Sequence, residues 1–205
     1  METIEVSLFM NLLNDFGMVA FAASGSIAAL KHEGDLFGAI FLALVASTCG
    51  GITRDLLIGA VPPEVMLSTF PLFLATGVGV LTYFFFPFVC KYMEHPIAFF
   101  DALGLGVFAV YGAGKAMDFG IMPVWSIGLG VITAVGGGAL RDMMLAQTPF
   151  ILKKEIYATA SILGAAILVA GCIWVPHLRE AAMLTGALAC TALRLLALRY
   201  GWNMR

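Results

Sequence analysis

The chain alternates long apolar runs with short polar breaks. Four runs carry no charge: Leu36 to Thr53, Val65 to Cys90, Phe119 to Leu140 and Ile156 to Pro176. Three more hold embedded charges: Val6 to Leu30 around Asp15, Pro96 to Met117 around Asp101 and Lys115, and Leu178 to Leu198 with three. A helix crosses the hydrocarbon core with about 20 mostly apolar residues. The pattern therefore predicts an all-α integral membrane protein of seven transmembrane helices, a single transmembrane domain over residues 1–205 with only short connections.

Composition agrees. Charged residues are 12% and hydrophobic residues 61%, with mean hydropathy +0.98. A soluble protein carries about 25% charged residues, and a domain of this size could not bury so much apolar surface. The leader Met1 to Glu5 is acidic rather than basic, so span 1 reads as a retained helix and not a cleaved signal peptide. Cys49, Cys90, Cys172 and Cys190 form no CxxC pair and read as small apolar residues, with no tightly bound metal and no disulfide expected. Net charge is −2 with no basic patch, so no nucleic-acid partner is expected. His32, His95 and His177 stand apart at helix ends or in loops, and no nucleotide loop or catalytic constellation is present, so neither an enzyme nor a cofactor is expected.

Lys and Arg favour cytoplasmic loops. With the N-terminus outside, Lys31, Lys91, Lys153, Lys154, Arg194, Arg199 and Arg205 fall inside, while Lys115 and Arg179 fall outside. The expected location is the inner (plasma) membrane, multi-pass, N-terminus outside and C-terminus cytoplasmic.

Two stretches match at a spacing of 87 residues. Gly17, Phe21-Ala22, Gly25, Gly50-Gly51 and Arg54-Asp55 return as Gly104, Phe108-Ala109, Gly112, Gly137-Gly138 and Arg141-Asp142. Asp15 and Asp101 correspond with a one-residue slip. Each unit holds three spans, and an odd number inverts the second copy. The expected units are residues 6–90 and 96–176, related by an in-plane pseudo-two-fold axis, with helix 7 at about 178–199 outside both. Inverted repeats are characteristic of transporters and some channels.

The glycine clusters are the strongest chemical signal. Gly136-Gly137-Gly138 precedes Arg141-Asp142, and Cys49-Gly50-Gly51 precedes Arg54-Asp55. Consecutive glycines weaken a helix by about 1 kcal/mol each, so spans 2 and 5 are expected to kink or unwind there and offer main-chain carbonyls to a permeant cation. Close helix packing by small residues is the alternative. Charges within spans are expensive and face the bundle interior. The expected contacts are Asp15–Arg54 and Asp101–Arg141, one at each mouth, as gates or as static pairs. Lys115 either snorkels to the interface, acts as a barrier in the path, or pairs with Asp118. Lys153-Lys154-Glu155 reads as an anchor or a lipid-headgroup contact. Arg194 and Arg199 read mainly as orientation signals.

FAASG at Phe21 to Gly25, GG-x-x-RD in each repeat and Lys154-Glu155-Ile156-Tyr157-Ala158 together resemble bacterial members of the trimeric intracellular cation (TRIC) channel superfamily, also catalogued as a glycine-transporter domain family. The resemblance runs over about Asp15 to Arg199. It implies a homotrimer, an hourglass pore in each subunit lined by glycine-kinked helices 2 and 5 at Gly50, Gly51, Gly136, Gly137 and Gly138, and passage of K⁺ or Na⁺. It also matches Lys154, Glu155 and Ile156 to a lipid-linked motif of animal members. The expected function is a monovalent cation channel, with a secondary transporter of glycine or a similar small solute as the alternative.

Overall fold

The computed structural model describes residues 2–153 and 155–202, with residues 2–7 and 155 by backbone alone. The helices are α1 (Glu2–Lys31), α2 (Leu36–Leu57), α3 (Phe70–Tyr92), α4 (Pro96–Asp118), α5 (Pro123–Met144), α6 (Phe150–Lys153), α7 (Glu155–Trp174) and α8 (Arg179–Tyr200). Among the described residues seven helices are long and apolar enough to cross a membrane, and no strand is present. The protein is a multi-pass membrane protein. The short α6 leads into the sixth span, α7, and the main chain bends at Ile156, where ψ is 15°.

Local chemistry sets the boundaries. Asp35 caps α2 by accepting from the Gly38 amide at 2.8 Å. Pro71, Pro96 and Pro123 occupy first-turn positions, where a missing amide proton is no loss. Gly201, at φ 63°, closes α8. Two expected starts move. Span 3 begins at Phe70 rather than Val65, because Glu64–Met66 forms a 3₁₀ turn in a strap over residues 58–69. Span 5 begins at Pro123 rather than Phe119, because the chain turns through Gly120 at φ 75°.

The face of the bundle on which α1 begins is termed the N-terminal face. The central helices are α1 and α4, while α3 lies at the periphery and turns Phe73, Phe84, Phe85 and Phe88 outward. Phe21 and Phe108 meet at the centre with ring centroids 5.3 Å apart. Each lies where a Cβ on the other repeat's glycine would go: Phe108 against Gly17, Phe21 against Gly104. The reciprocity recurs at the α2–α5 crossing. A Cβ on Gly50 would enter the Thr133 carbonyl, and one on Gly137 would enter the Ala46 carbonyl. Moving both partners of either contact by the 87-residue repeat gives the other, which is how a two-fold axis pairs two surfaces.

The expected unwinding does not occur. Both α2 and α5 stay helical through their glycines. Gly50, Gly136 and Gly137 serve the close approach of two backbones, with Gly136 3.2 Å from the Gly50 Cα measured from an added Cβ. In lipid, helices associate largely through such van der Waals contact, and here it replaces the main-chain break as the reason for the glycines.

Candidate functional site

The second glycine of each pair points elsewhere. An added Cβ on Gly51 would have only Arg54 Nη2 nearby, at 3.7 Å, and Gly51 lines a cavity of about 260 Å³ on the N-terminal face. Asn11, Asn14 and Asp15 of α1, Ser47 and Thr48 of α2, and Glu64 of the strap also line it, and it reaches Phe108 and Thr133 at the α2–α5 crossing. Ser47 Oγ donates to the Ala43 carbonyl at 2.8 Å, Thr48 Oγ1 to Leu44 at 2.7 Å and Thr133 Oγ1 to Leu129 at 2.6 Å. With those protons committed to main chain, the three oxygens have only lone pairs left to offer. Together with the half-buried Asp15 carboxylate they suit a hard cation.

Arg54 does not meet Asp15. It bonds to Asp55, with Nε 2.9 Å and Nη2 2.8 Å from Oδ1, and its guanidinium lies 5.1 Å from the Tyr111 ring centroid. The reason is register. Counting the repeat spacing back from Asp101 reaches Asn14, and one residue is about 100° of helix rotation, so Asp15 faces the cavity instead of the arginine. Lys115 neither snorkels nor takes Asp118. Its Nζ is 2.9 Å from Asp55 Oδ1 and 2.6 Å from Glu64 Oε2, and Glu64 also accepts from Tyr111 at 2.9 Å. Asp118 instead receives Arg179 at 2.6 Å. Glu64 thus ties the strap to α4 beside the cavity.

The equivalent position toward the opposite face is filled. The expected Asp101–Arg141 contact is present: Arg141 Nη1 lies 2.8 Å from Asp101 Oδ1 and 2.6 Å from Ser24 Oγ, joining α5 to α4 and α1. Its Nε and Nη2 lie 2.9 and 2.8 Å from Asp142 Oδ1, and Asp142 Oδ2 accepts from the Phe150 amide at 3.1 Å. Arg141 and Asp101 are both 0% exposed. A Cβ on Gly138, the counterpart of Gly51, would meet Tyr157 Oη at 3.0 Å, Asp101 Oδ1 at 3.1 Å and Arg141 Nη2 at 3.7 Å.

Arg194 corrects another expectation. It is 2% exposed, with its guanidinium 5.0 Å from the Tyr157 ring and 6.0 Å from the Phe150 ring, so it is no surface marker of orientation. Glu64, Tyr111 and Ser24 carry no signal in the sequence analysis, and Asp55, Asp142 and Tyr157 appear there only as members of motifs, without a site role. For the two aspartates the Arg-Asp motif itself held the signal, since an adjacent carboxylate is a ready partner for a buried arginine. In Lys154-Glu155-Ile156, Lys154 and the Glu155 side chain lie outside the described residues, as does Arg205 of the charge count.

These features define a polytopic helical membrane protein of two inverted units, with a polar cleft open to one face and closed by an arginine cluster at the other. The chain belongs to the family described as "Glycine transporter", whose model matches it over residues 11–87 and again over 98–172. The UPF0126 membrane protein of Deinococcus radiodurans is 33% identical over 172 residues, 82% of this chain and 77% of that one. The UPF0126 inner membrane protein YadS of Escherichia coli (strain K12) is 32% identical over 94% of this chain and 92% of its own length. The solved TRIC trimeric intracellular cation channel orthologue from Rhodobacter sphaeroides superposes with a TM-score of 0.87 at 37% identity, covering 94% of this chain and 98% of that one. A prokaryotic TRIC channel crystallised in 0.5 M KCl gives 0.88 at 32% identity, covering 97% and 100%. The motif resemblance to the TRIC superfamily is borne out.

Proposed function

We propose that the protein is a channel for monovalent cations, K⁺ or Na⁺, working as a homotrimer with one path through each subunit. The observation that carries this reading is the cavity on the N-terminal face, where the Asp15 carboxylate and the Ser47, Thr48 and Thr133 oxygens, their protons committed to main chain, lead to the Gly50–Gly137 crossing. Asp15 adds the field that draws cations in. The path runs past Gly51, over the crossing and past Gly138. Because α2 and α5 stay helical, side-chain oxygens rather than freed carbonyls replace part of the hydration shell. The Arg141–Asp101–Ser24 bridge is the shut gate. The relatives described as TRIC cation channels, one of them as trimeric, support the activity and the assembly.

The protein sits in the inner membrane with its N-terminus outside, so the open cavity faces out and the shut gate faces the cytoplasm. Lys153 and Lys154 hold anionic lipid headgroups on that side. The one-sided opening also favours a second reading, alternating access by a carrier of glycine or a similar small solute. Purified protein in liposomes decides between them. The channel reading expects K⁺ efflux that does not saturate over ordinary concentrations and is indifferent to glycine. Saturable glycine uptake without K⁺ leak would replace it with the carrier.

A further inference from the structure

The two halves of the path are built from equivalent residues, yet one is open and the other shut. Their difference must lie where the equivalence fails. Arg54 and Arg141, Asp55 and Asp142, and Gly51 and Gly138 are the same residues in both copies. Asn14 stands for Asp101, and Phe70 stands for Tyr157. The Gly51 position has only Arg54 Nη2 within reach, while the Gly138 position also has Tyr157 Oη and Asp101 Oδ1 upon it.

Asp101 is held by Arg141. The Tyr157 hydroxyl has no hydrogen-bond partner among the described residues, although the residue is 1% exposed. The hydroxyl stands beside the Asp101 carboxylate, and contacts of the ring add to that in keeping it over Gly138. Its ring lies 5.0 Å below the Arg194 guanidinium and 6.3 Å from the Phe150 ring. Arg194 comes from α8, the span that belongs to neither repeat, so the N-terminal face has no equivalent of it. α8 is itself pinned to α7 by a close crossing in which Gly164 and Gly186 each lie against the other's carbonyl. A charge inside a span is costly and is retained for a partner or a function. Here the partner is an aromatic face in a desolvated setting, where a cation–π contact is strongest.

We propose that Arg194 is a positioning residue of the gate: from the unrepeated helix it clamps the Tyr157 ring so that the hydroxyl covers Gly138 and keeps that mouth shut. The inference rests on the channel reading above. Arg194 reaches the gate through the Tyr157 ring and through its charge near Asp101, without lining the path itself, so it sets how often the path opens and not how fast ions cross an open path.

Single-channel recording of the reconstituted full chain tests it with R194L, R194K and Y157F. R194L removes the clamp. Y157F places at this mouth the side chain that Phe70 presents at the open one, keeping the ring and losing the hydroxyl. We expect the open-to-closed ratio to rise roughly tenfold or more in R194L, the scale set by loss of a desolvated cation–π contact. Y157F should rise comparably and R194K by less, with wild-type unitary conductance in R194L and R194K. A purely structural arginine would instead lower the number of active channels and leave gating alone. If R194L fails to fold, Y157F and R194K carry the test. Wild-type currents with both of those within twofold of the wild-type ratio would overturn the clamp and leave the channel standing. Absence of unitary current in the wild type would overturn both.

Discussion

Replacing Gly137 by Ala should destabilise the bundle even though alanine is the better helix former. The added Cβ would overlap the Ala46 carbonyl of α2. That obstacle is main chain in a continuous helix and has no rotamer to change, so the crossing itself must open. Overpacking a well-packed site costs about 1–3 kcal/mol, and a backbone obstacle puts Gly137 at the upper end. The helix-propensity gain returns about 1 kcal/mol, leaving a net loss of about 2 kcal/mol. G50A meets the Thr133 carbonyl in the mirrored contact and should cost about the same. The two share one crossing, so once either has forced it open the other finds part of its space made. The double variant should therefore lose less than the sum, with a coupling on the order of 1 kcal/mol. G51A, whose Cβ meets only Arg54 Nη2 at 3.7 Å, should be neutral or slightly stabilising. Equilibrium unfolding in mixed detergent micelles measures all four. Equal effects of G51A and G137A, or strict additivity in the double, would refute the division of each pair into a packing glycine and a path-facing one.

Other consequences bear on conduction. D101N gives the shut mouth the amide found at Asn14; it should raise the open fraction and lower thermal stability, since breaking a buried pair costs about 3–5 kcal/mol and Asp142 remains to hold Arg141. D15N should reduce unitary K⁺ conductance roughly twofold at low salt and hardly at all near molar salt, where screening falls to about 3 Å; the same loss at both would put Asp15 outside the entry field. K115M frees Asp55 and Glu64 from their shared ammonium and should raise low-salt conductance; a decrease would show that the strap's anchorage matters more than its charge.

The sequence carried the spans and the repeat well, because both depend on pattern: apolar runs of membrane length, and a motif returning at a fixed spacing. Asp101–Arg141 was legible for the same reason. Asp15–Arg54 failed on a single residue, since similarity of type concealed a turn about the helix axis, and strict counting would have put Asn14 opposite Arg54. The glycine clusters were ambiguous in principle. A helix break and a close crossing both select residues without a Cβ, and only the reciprocal fit of Gly50 and Gly137 against the facing carbonyls separates them. Arg194 reads as an orientation signal because a charge toward a span's end resembles a flanking anchor. Yet Met183, Ala187, Cys190 and Ala197, all buried on α8, lie at helical spacing from it, and that stripe was the available sign of an inward face. The Glu64 strap was illegible, since nothing local says that a loop carboxylate returns to a lysine on α4.

The reversal potential of unitary currents from purified protein in a planar bilayer under a KCl gradient reads cation conduction without an intermediary. Reversal close to the K⁺ equilibrium potential is the predicted result. Reversal near zero or toward the chloride potential, or a silent bilayer from a preparation that accumulates glycine in liposomes, would contradict it.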